Sequence, residues 1–131
     1  MEHVGGYALK TTTQLGFDEA IEKVTELLKE EGFGILTEID VKATLKKKLE
    51  IDHKPYRILG ACNPPFAHKA ISAENLIGVL LPCNVVVWDD GDQRVVAAMD
   101  ASLMGKVLDN SAINEVATEV SKKLESVLAK L

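Results

Sequence analysis

The chain reads as an α+β domain: an antiparallel sheet with two long helices packed on one face. Three observations predict this. Apolar residues recur at steps of three and four over Phe17–Leu28 and again over Ile113–Leu131, the spacing of a single buried helix stripe. Five short β-branched or alternating runs accompany these helices. Most of those runs are joined by short turns, not by the long crossovers of a parallel sheet.

The elements follow in order. Tyr7–Thr13 alternates and is rich in threonine, a first strand. Gly16 opens a helix whose first turn carries Asp18 and Glu19, where the macrodipole favours carboxylates. Phe17, Ile21, Val24, Leu27 and Leu28 form its stripe; Gly32 stops it, and Phe33 can fold back on the last turn. Gly34–Ile39 is a second strand. Asp40 is the N-cap of a short helix with Val41, Leu45 and Leu49 on one face and Lys46, Lys47 and Lys48 at its end. Tyr56–Cys62 is a third strand, closed by Pro64 and Pro65 because proline cannot continue a ladder. Phe66–Glu74 is a short helix. Asn84–Trp88, a hairpin turn at Asp89–Asp92 and Arg94–Met99 complete the sheet. Ser102–Asn110 reads as irregular or a single helical turn, and a long helix starts at Ser111.

Composition bounds the function classes. The 131 residues make one domain, and the apolar share of 47% with 27% charged residues is that of an ordinary globular protein. A net charge of −5 argues against nucleic acid, whose phosphates call for clustered Lys and Arg. No apolar run approaches the roughly 18–20 residues that span a bilayer. The segment Met1–Gly6 lacks the basic and apolar regions of a signal peptide, so a cytoplasmic protein with reduced thiols is expected.

Alternation along the strands leaves a second sheet face. The expected set on that face mixes Lys10, Glu38 and Arg57 with Leu36, Leu59, Val86, Trp88 and Val96. Five such apolar side chains are too many to leave in water, since burying each is worth roughly 1.5–3 kcal/mol. A homodimer covering part of this face is expected, with a sheet wrapped around its own third layer as the competing arrangement.

The chemistry-bearing residues concentrate at two places. Cys62 and Cys83, the only cysteines, each sit beside an asparagine and a proline at a strand end. If the third and fourth strands are antiparallel neighbours, the two thiols lie close and can point the same way. With His68 they would suit Zn(II) or Cu(I), which favour S and N donors. A reversible disulfide and two buried small hydrophobes are the other readings. A separate small-ligand pocket is expected from Lys10, Glu38, Asp40, Arg57, Asn63 and Asn84, where a carboxylate beside a cation can do acid–base work once burial moves its pKa. Ordinary surface ion pairs are the plainer reading of those residues. No catalytic constellation and no phosphate loop is recognisable. A structural or partner-binding module needs the fewest assumptions. His3 lies on a terminus expected to fray, and His53 in a polar loop.

Phe33–Val41, Tyr56–Pro64 and Leu80–Val87 resemble the core signature of the domain of unknown function 302 family, and the order of the motifs agrees as well. The likeness runs from about Tyr7 through Met99. It implies a β-α-β-β-β-β-α arrangement similar to the TATA-binding-protein-like folds, and association as dimers. It implies no reaction, and a likeness to a DNA-binding saddle carries no function by itself.

Overall fold

The computed structural model describes residues 1–131 and contains one six-stranded antiparallel sheet with helices packed on it. The strands are β1 (Glu2–Val4), β2 (Ala8–Thr13), β3 (Gly34–Asp40), β4 (Tyr56–Cys62), β5 (Cys83–Asp90) and β6 (Gln93–Met99), in the order β1-β2-β6-β5-β4-β3. The helices are α1 (Phe17–Glu30), α2 (Val41–Leu49), α3 (Pro64–Ala73), α4 (Ser102–Val107) and α5 (Ser111–Ala129), with a 3-10 helix at Asn75–Leu80. No helix is long and apolar enough to cross a membrane.

Local chemistry accounts for the helix ends. At the end of α1, Gly32 has φ +86° and donates to the Lys29 carbonyl, while Phe33 donates to that of Leu28. This is the Schellman closure, and Phe33 is buried against the core as its apolar anchor. The carboxylate of Asp40 accepts from the Ala43 amide at 2.9 Å and starts α2 as expected. The Asn110 side chain accepts from the amides of Ala112 and Ile113 and starts α5. Helix α3 begins two residues before the expected Phe66. Pro64 and Pro65 occupy its first turn, where a missing N–H deprives nothing of a partner.

Two turns of the sheet depart from expectation. The terminal segment does not fray: Gly5 and Gly6, both at positive φ, turn the chain so that Glu2–Val4 pairs with Ala8–Lys10. The β5–β6 hairpin is also tighter than the expected four-residue turn. Asp90 pairs with Gln93, and Gly91 at φ +76° lets two residues close the loop.

Pairing register settles the two faces. Leu9, Ala98, Val85 and Leu59 lie in one row across β2, β6, β5 and β4, all buried. With Val87 and Val96 they pack against Ala20, Val24, Leu27 and Leu28 of α1 and Ile113, Val120, Leu124 and Leu128 of α5. The expected membership of the second face is therefore corrected. Leu59 and Val96 belong to the helix-covered core, and Arg57 and Glu38 share their side of the sheet. The other side, left uncovered by α1 and α5, instead carries the row Ile39–Ile58–Val86–Ala97–Lys10 and the row Tyr56–Trp88–Val95–Thr12, with Val95 and Ala97 buried among their neighbours. Alternation within a strand fixes which residues go together; only the ladder fixes how one strand's set aligns with the next.

Candidate functional site

A cavity of about 290 Å³ opens where the ends of β3, β4 and β5 meet α3, α4 and α5. Thirteen of its sixteen lining residues are hydrophobic, among them Phe33, Phe66, Ala70 and Val116. Cys62, Asn63, Pro82 and Cys83 complete one wall. The local sequence produces the opening. Ala67 and Ala70 put only methyl groups on the inner side of α3, and a bulge between Ile35 and Thr37 turns Leu36 outward at the rim. Leu36 and Ile71, 68% and 43% exposed, carry the apolar surface to the outside.

Both cysteines are free and both line this cavity. They are not cross-strand partners, because Cys83 pairs with Ala61 and Cys62 with Gly34. Burial pushes the Cys83 thiol up to about 11, and the neighbouring Cys62 adds to the rise. Cys83 is thus protonated at neutral pH, and a protonated thiol is a poor nucleophile.

His68 is not brought to the thiols. It is exposed on α3 and lines a separate groove with Lys69, Glu115 and Glu119. No group of three or more His, Cys, Asp or Glu side chains is placed to hold a metal ion.

The six residues expected to form one ligand pocket divide among separate places. Arg57 bridges Glu38 at 2.5 Å and Asp40 at 3.6 Å, and its guanidinium lies 5.7 Å from the Phe17 ring centroid. Glu38 and Asp40 are exposed, so this is a surface ion-pair cluster. Lys10, with two strands between and on the opposite face, reaches Glu2 at 4.0 Å. Asn84 is exposed across from Gly60. Only Asn63 enters the cavity wall.

One network escaped the sequence. Asp100, 5% exposed, accepts from the Ser102 amide at 3.0 Å and the Ser102 hydroxyl at 2.7 Å; the Ser121 hydroxyl lies at 3.4 Å. His3 of β1 lies 3.5 Å from the same carboxylate and 3.7 Å from Glu125. Burial opposes the charge on Asp100, but the Ser102 and His3 contacts outweigh it and hold the carboxyl below its ordinary value. Ser121, a polar residue on the buried stripe of α5, was the legible sign that a partner waits opposite.

Comparison with known proteins agrees with the fold. No curated protein matches the chain. The crystal structure of the uncharacterized conserved protein DUF302 from Bacillus stearothermophilus superposes with a TM-score of 0.86 at 29% identity, covering 94% of this chain and 96% of that one. The family described as domain of unknown function DUF302 matches residues 9–131, nearly the whole sheet and every helix, and the chain belongs to that family.

Proposed function

We propose that the chain is a binding module for a small apolar molecule, held in the cavity between the β4–β5 strand ends and α3. The supporting observation is the cavity itself: about 290 Å³, walled mostly by hydrophobic side chains, with a few polar groups on one side. That is the common character of small-molecule sites. The neutral N-phenyl-1-naphthylamine, whose fluorescence rises in apolar surroundings, tests it. One saturable site per chain is expected, lost in Ala67→Phe, which fills the opening from α3. A folded Ala67→Phe protein that binds the dye as well as the parent refutes the reading.

A homodimer formed through the uncovered sheet side is the second part of the proposal. Ile39 is 48% exposed there, beside the half-buried Ile58, Val86 and Trp88, and such a contiguous apolar row favours a partner surface. Light scattering is expected to give twice the chain mass of 14.2 kDa, and Val86→Lys to return the monomer. A parent protein that scatters as a monomer at high micromolar concentration rules this out.

A further inference from the structure

We infer that the cavity takes an uncharged, mainly apolar ligand carrying one hydrogen-bond donor, and that the side-chain oxygen of Asn63 reads that donor. This rests on the binding reading above and goes beyond it to the ligand's chemistry and the residue that selects it.

The wall excludes charge. None of its residues is Lys, Arg, His, Asp or Glu. A carboxylate or ammonium entering it would lose water and gain no counter-ion. Cys83 does not supply one, since burial keeps its thiol protonated.

Asn63 supplies the polar contact. It is 8% exposed, and its Nδ2 donates to the Glu31 carbonyl at 3.2 Å, at the end of α1. A carbonyl only accepts, which fixes the amide with nitrogen toward Glu31. Gly32 makes the room for that contact, because a Cβ there would come 3.2 Å from Nδ2. The oxygen is left over. An asparagine at a helix start ordinarily turns it onto the second or third amide of the helix. Here the first two helical residues are Pro64 and Pro65, Pro65 has no N–H to offer, and the side chain makes no cap. Oδ1 accepts no hydrogen bond from the chain, on a residue that lines the cavity. Oδ1 is not among the buried unpartnered atoms, so it stays open to what enters from the cavity, and a ligand hydroxyl or N–H that reaches it gains one hydrogen bond.

Four probes of one shape test this on the full chain by displacement of N-phenyl-1-naphthylamine: naphthalene, 2-naphthol, 2-methoxynaphthalene and 2-naphthoate. The naphthol is expected to bind about threefold to tenfold tighter than naphthalene, the worth of one hydrogen bond. The methoxy compound, which has lost the donor, is expected to match naphthalene, and the carboxylate to bind at least about tenfold weaker. In Asn63→Leu the advantage of the naphthol disappears while naphthalene still binds. Should that variant not fold, the naphthol–methoxy comparison on the parent protein decides alone. Equal binding of those two, or tightest binding of the carboxylate, overturns this inference and leaves the cavity reading standing. Failure of every probe, naphthalene included, overturns the binding reading itself.

Discussion

Cys83 stands across the β4–β5 ladder from Ala61, one residue away from Cys62, so the two thiols share a cavity without sharing a pair. With its thiol near 11, about one Cys83 in ten thousand is ionised at pH 7. Iodoacetamide at neutral pH is therefore expected to label Cys62 first, with Cys83 labelling rising tenfold per pH unit up to about 11. Peptide mass spectrometry over that pH range checks the order. Cys62→Ala is expected to lower the Cys83 midpoint, because the neighbouring thiolate is part of the cause.

The same group links stability to alkaline pH. Its folded value of about 11 lies above the 9.0 of an ordinary thiol, so between these values the folded state holds a proton that the unfolded state has released. Stability drawn from Cys83 is complete below pH 9 and falls as pH rises toward 11, by about 2–3 kcal/mol in all. Urea unfolding of the parent and of Cys83→Ala at pH 8 and pH 11 should show the gap between them closing.

Asp100 acts at the acid end. Its carboxyl is held below the ordinary 3.8, so the unfolded state takes up protons first. The stability it contributes is present above that value and is lost as pH falls through the folded one. Asp100→Asn is expected to cost about 1–3 kcal/mol at pH 7 by leaving the Ser102 and Ser121 donors poorly matched. Amide exchange in Glu2–Val4 is expected to quicken in the same variant, since His3 loses its anchor.

Gly60 is a packing requirement. A Cβ there would collide with the Thr37 hydroxyl and come 3.0 Å from Pro82 Cγ. Gly60→Ala is expected to destabilise by about 1–3 kcal/mol, read as a lower urea midpoint with unchanged slope.

Arg57→Met is the contrasting case. The ion pairs to Glu38 and Asp40 are exposed, and a methionine keeps the apolar stem over Phe17. A change below about 1 kcal/mol is expected, with dye binding unaltered.

What could be read from the residues alone divides along a physical line. Helix stripes, the Gly32–Phe33 closure, the Asp40 cap and the β4–β5 neighbourhood of the cysteines are consequences of local spacing, and all were legible. The alignment of β4 and of β6 against β5 is not local, so alternation alone sets Leu59 and Val96 on the wrong side although it locates their strands. The cavity is a property of three strands and three helices at once, and its only local trace is the run of small residues Ala67 and Ala70. Arg57 and Lys10 look alike in a sequence; the sheet order separates them by two strands and a face.

The central position of β6 governs how the molecule can assemble. Ala8–Thr13 has no inner neighbour until Gln93–Met99 exists, a separation of more than eighty positions along the chain. During synthesis the leading strand is therefore expected to wait while β3, β4 and β5 pair from the other edge, and to enter the sheet nearly last. Refolding is expected to be slow for a domain of this size, with the leading hairpin the final part to gain protection.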